Sequence, residues 1–121
     1  MTLADDVVVH RVGGASLPSL RLNARDAAVQ PPGLSVFLGG TPAEASAQMR
    51  AVYNTRKWRA LAGTVGSATA AAVRAAGFDV IADPTTAFPN HARIVHPDAA
   101  AGFTDNHLAA LSAVFLTSTG L

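Results

Sequence analysis

Phe78-Asp79-Val80-Ile81-Ala82 and His91-Ala92-Arg93-Ile94-Val95-His96, separated by the loop Asp83 to Asn90, decide the fold class of this chain. Both runs are short and rich in β-branched or aromatic residues, so each reads as a strand. A parallel pair needs a crossover of a dozen or more residues. A short loop that carries Pro84 and Pro89 cannot supply one. The two strands must therefore be antiparallel neighbours, which argues for an α+β domain and against a doubly wound parallel sheet.

Upstream of this hairpin, Ala68–Ala76 reads as a helix closed by Gly77. Trp58 to Val65 reads as a strand that ends at Gly66-Ser67. Thr41-Pro42-Ala43-Glu44 is the strongest local signal: threonine caps a helix, proline suits its first position, and Glu44 completes a capping box. That helix should run to about Tyr53. Leu34-Ser35-Val36-Phe37-Leu38 is a short strand stopped by Gly39-Gly40, and Val7-Val8-Val9-His10-Arg11-Val12 is another, stopped by Gly13-Gly14. Between them Gly13 to Gly33 holds Pro18, Pro31 and Pro32 and no sustained period. It is expected to be a long loop with a short helical turn at Ala24–Val29, and loops of that length are usually functional. Downstream, Thr104 should cap a last amphipathic helix, with Leu108, Leu111 and Phe115 at helical spacing. The order predicts one small α+β domain over residues 1–121, with a mixed or antiparallel sheet flanked by about three helices.

A chain of 121 residues buries roughly two-thirds of its unfolded surface and needs no staple. Alanine supplies much of the 50% hydrophobic fraction, so the core depends on Phe37, Tyr53, Trp58, Phe78, Phe88, Phe103 and Phe115. Only 14% of residues are charged, which fits a surface patch covered by a partner. Net charge is +1, from nine basic and eight acidic residues, so there is no general basic face for nucleic acid. With no cysteine there is no disulfide, thiol nucleophile or Cys-ligated zinc. The opening residues lack a basic n-region and no run approaches a spanning helix, so a cytoplasmic protein without membrane contact is expected.

Among the polar residues, Arg11 ends the first strand beside His10, where a guanidinium suits bidentate contact with phosphate or carboxylate. Its ordinary alternative is a rim salt bridge. Ser35 lies in an apolar strand and needs a partner or a pocket if buried. His91 and His96 are five apart on a strand and point to opposite faces, which argues against a shared metal ion. His91 and Arg93 share a face and can meet an anion together; alternatively His91 hydrogen-bonds the preceding loop. Arg50, Arg56, Lys57 and Arg59 surround Tyr53 and Trp58, a pattern that suits either a nucleic acid strand or a solvated helix end. Glu44, the only glutamate, is already used by the capping box.

The succession His10-Arg11, Gly33-Leu34-Ser35-Val36-Phe37, Leu61-Ala62-Gly63-Thr64, Ala76-Gly77-Phe78-Asp79-Val80 and His91-Ala92-Arg93-Ile94-Val95-His96-Pro97 covers most of the chain. It resembles the small ADP-ribosyltransferase-like toxins, in particular the compact type VI secretion effectors of that fold. The resemblance implies a split β-sheet gripping NAD. It places Arg11 toward the dinucleotide phosphates, with Arg93 also on the cofactor side, Ser35 supporting the nicotinamide ribose, and His91 near the same cleft as a catalytic residue with Ser35. It also implies an antitoxin or immunity protein that covers the cleft. The chain departs from the wider transferase pattern, because no glutamate stands on a late strand.

Two other classes compete with an NAD-dependent toxin. One is a non-catalytic protein-interaction module, which requires an exposed apolar patch. The other is a small metal-independent ribonuclease, in which His91 or His96 works beside the Arg50–Arg59 cluster. The toxin reading requires Arg11, Ser35 and His91 to line one cleft.

Overall fold

Glycine punctuation sets the element boundaries in the computed structural model, which describes residues 3–20, 33–98 and 104–121. Gly39 and Gly40, with φ of 74° and 73°, turn the chain from a strand into the following helix through a conformation that side chains disfavour. The strands are β1 (Val8–Val12), β2 (Leu34–Leu38), β3 (Val65–Thr69), β4 (Asp79–Ala82), β5 (His91–Val95) and β6 (Leu116–Ser118). The helices are α1 (Pro42–Val52), α2 (Arg56–Leu61), α3 (Ala70–Ala75) and α4 (Asp105–Ser112), and residues 17–20 are also helical. The turn expected at Ala24–Val29, the ring of Phe103 and the side chain of Trp58 lie outside the described residues.

The strands form one sheet in the order β4-β5-β2-β1-β3-β6, and every neighbouring pair is antiparallel. The domain is α+β, and β4 and β5 are the antiparallel hairpin that the short proline loop requires. A flat sheet would hold β3 and β4 about 19 Å apart. Helix α3 touches both, so the sheet curls around the material on its inner face.

Strand alternation sorts the sheet into two faces. Val9, Leu34, Val36, Ala68, Val80, Ala92 and Ile94 point to the inner face, where Leu20, Val73, Phe78, Leu108, Leu111 and Phe115 close the main core. The opposite, outer face carries a smaller cluster in which Phe37, Ala45 and Phe88 pack with Val12 and Met49. Helix α1 covers this face over β1 and β3. Its capping box is complete: the Glu44 main-chain N–H donates to Thr41 Oγ1 and the Thr41 N–H donates to Glu44 Oε1, each at 3.2 Å.

Three expectations need correction. Trp58 to Val65 is not a strand: Arg56–Leu61 is helix α2, and the third strand begins at Val65. Arginine, lysine, alanine and leucine are strong helix formers, and they outweigh one aromatic residue. The true strand, Val65–Thr69, has weak strand propensity but pairs along the whole of β1, so tertiary context overrides the local preference. The expected helix before Gly77 is correspondingly shorter, Ala70–Ala75. Thr104 occupies the N-cap position of α4, but its hydroxyl is bonded to His107 Nδ1 at 2.7 Å and makes no capping bond. No helix among the described residues is long and apolar enough to cross a membrane.

Candidate functional site

Arg11 stands at the fourth position of β1, two residues after Val9, so it shares the inner face with the main core. It is only 6% exposed. Its cross-strand partner on β3 is Gly66, which offers no side chain. Ala15 fills the space behind that glycine: a Cβ on Gly66 would lie 3.0 Å from Ala15 Cβ. Arg11 Nε is buried without a hydrogen-bond partner, and no described residue forms an ion pair with the guanidinium. Burial lowers its pKa to about 10. A buried guanidinium with an unpartnered Nε carries a desolvation cost, which a bound anion would offset.

Ser35, His91 and Arg93 come together on the outer face instead. Ser35 is opposite Arg93 and Phe37 is opposite His91 in the β2–β5 register. Ser35 is exposed, so its hydroxyl has water available and needs no buried partner. His91 Nδ1 lies 2.9 Å from the Asp83 main-chain oxygen and 3.3 Å from Asp83 Oδ2. A ring nitrogen facing a carbonyl carries the proton, which leaves Nε2 as the acceptor of the neutral ring. Arg93 Nε is 3.3 Å from the same Asp83 Oδ2, an ion pair that lacks hydrogen-bond geometry at Nε. Asp83 therefore positions both side chains. The sequence alone gave Asp83 no role; the Ala82–Ala92 pairing, which puts the residue after β4 beside His91, is the signal that finds it.

Arg11 does not join this group. The sheet itself separates its side chain from Ser35, His91 and Arg93, so one cleft lined by all four is not formed. His10, next to Arg11, points outward and is fully satisfied: Ser67 Oγ lies 2.7 Å from Nδ1, and Nε2 donates to the Gly40 oxygen at 3.0 Å.

The basic cluster forms a third feature. Arg50, Asn54, Arg56, Arg59 and Ala60 line an open depression of about 600 Å³ at the junction of α1 and α2. Neither His91 nor His96 lines it, so it has no histidine acid or base. His96 instead packs against Phe78 and His107, with ring centroids 5.0 and 4.8 Å away. No group of three or more His, Asp or Glu side chains among the described residues is arranged to hold a metal ion.

Compared with protein-family models, with curated proteins and with solved structures, the chain matches none.

Proposed function

We propose that this domain binds a phosphate-bearing ligand at Arg11, with NAD as the ligand that the likeness to ADP-ribosyltransferase-like toxins names. The observation that supports it is a guanidinium 6% exposed with no partner for Nε among the described residues. Arginine is the side chain best suited to grip a phosphate through two parallel hydrogen bonds. The proposal is one of binding, without an assigned transfer step. Ser35 and His91 are on the other face, and the sole glutamate is engaged in the α1 cap. A toxin role, a cytoplasmic setting and a neutralising protein partner belong to the same proposal.

The test is calorimetric titration of NAD into wild type and Arg11→Met. Heat of binding that disappears in the variant supports the reading. No binding at millimolar NAD in either protein removes it.

A second reading, a protein-interaction module, draws on two exposed apolar side chains. Ile81 is 47% exposed on the outer face beside Arg93, and Leu116 is 78% exposed on the edge strand β6. Sedimentation of wild type and Leu116→Lys tests the simplest partner, a second copy pairing along that edge. A dimer lost in the variant favours this reading over ligand binding, and a monomer at all concentrations removes self-pairing.

A further inference from the structure

Three arginine side chains meet at the depression between α1 and α2. Arg50, Arg56 and Arg59 line it together with the Asn54 amide. The chain contains no aspartate or glutamate between Glu44 and Asp79, so the segment that forms this site brings no carboxylate of its own. Arg56 and Arg59 are exposed, and neither forms an ion pair among the described residues. Arg50 is held in place by a 2.6 Å hydrogen bond from Nη2 to the Leu121 main-chain oxygen. One guanidinium is thus anchored and two are free to close on a ligand.

From this arrangement we infer that the depression is an anion site, separate from Arg11, that takes a compact diphosphate group. Its volume of about 600 Å³ falls within the range of small-molecule sites. Three planar forks and an amide match the several oxygens of a diphosphate better than a single carboxylate. A nucleic acid strand would need basic residues extended along a track, whereas this cluster is confined to residues 50–59 of a chain whose net charge is only +1. Complementing a helix C-terminal end accounts for Arg50 and Arg59, each in the last turn of its helix, but not for Arg56 at the first position of α2. Arg11 does not line the depression, so this site stands whether or not Arg11 binds NAD.

Inorganic pyrophosphate is the probe, titrated into wild type, an Arg56→Gln/Arg59→Gln double variant and Arg11→Met, with backbone amide NMR shifts as the readout. The expected result is saturable shifts at residues 50–60, whose affinity is read separately from any shifts around Arg11. Affinity should fall about tenfold or more in the double variant and stay unchanged in Arg11→Met. Circular dichroism of the double variant checks that it is folded, and both substituted side chains are exposed. Absence of shifts in wild type at millimolar pyrophosphate overturns the proposal, as does equal affinity in the double variant. A short single-stranded RNA that binds the same residues and is not displaced by pyrophosphate also overturns it, in favour of a nucleic acid surface.

Discussion

His10 and Arg11 are consecutive on β1, yet one has every ring nitrogen satisfied and the other has Nε buried without a partner among the described residues. Strand alternation produces the contrast. It turns His10 toward Ser67 and Gly40 on the outer face, and Arg11 toward the core beside Gly66. A fold selected for stability alone would place methionine or leucine at position 11. The guanidinium at this position is the reason for proposing a ligand there.

Arg11→Met should therefore make the apo protein more stable while abolishing NAD binding. Replacing a buried charge with no ion-pair partner among the described residues by an apolar side chain of similar volume is expected to gain about 1–4 kcal/mol. Urea unfolding of both proteins without ligand measures it. A loss of stability would mean that Arg11 is a structural residue with a partner.

His10→Leu should have the opposite effect. It strands the Ser67 hydroxyl and the Gly40 carbonyl, at a cost of about 1–3 kcal/mol. Ser67→Ala, which removes one bond only, should cost less. Denaturation midpoints of the two variants check the order.

Gly66→Ala tests how tightly the wall beside Arg11 is closed. The added methyl would meet Ala15 Cβ at 3.0 Å and the Ala15 nitrogen at 3.2 Å, so a destabilisation of about 1–3 kcal/mol is expected. Gly63→Ala, whose Cβ would stand 3.4 Å from the Ala60 oxygen, is the tolerated control. Thermal melts of the pair give the comparison.

Acid sensitivity should trace to Arg74. Burial alone would raise the Asp79 carboxyl. Hydrogen bonds from Arg74 and from the Val80 N–H outweigh it and hold the pKa below the usual carboxylate value. A depressed carboxyl contributes stability above its unfolded pKa and loses it as pH falls through the folded one. Arg74 also binds Asp5 and the Leu3 oxygen, tying the first residues of the described chain to α3 and β4. In Arg74→Met the fall in urea midpoint from neutral pH to about pH 3 should be shallower than in wild type. An unchanged slope would contradict this coupling.

The parts of the fold carried by local chemistry were legible in the sequence. Thr41 and Glu44 announced a capping box that forms as read, and the Pro84–Pro89 loop forced an antiparallel hairpin. Helix α2 was missed although its local propensity is helical, and the other failures depended on tertiary pairing. Gly66, Ser67 and Ala68 have little strand propensity and become β3 only against β1, and Leu116–Ser118 becomes a strand only by pairing with β3. The candidate residues show the same division. Arg11, Ser35, His91 and Arg93 were visible as unusual polar residues in strands, and the β2–β5 register unites the last three. The inward turn of Arg11 was hidden because Val7-Val8-Val9-His10-Arg11-Val12 is apolar on both faces, so its pattern does not say which side is core.

The central claim is that the Arg11 guanidinium waits for an anion, and the most direct measurement observes that group. In nitrogen-15 NMR the Arg11 Nε–H, buried away from solvent, should give a resolved signal assignable by its loss in Arg11→Met. Addition of NAD is predicted to shift that signal saturably, with a smaller response to nicotinamide, which lacks the phosphates. A signal that does not move at millimolar NAD or phosphate would contradict the account and make Arg11 a cation the fold tolerates without using.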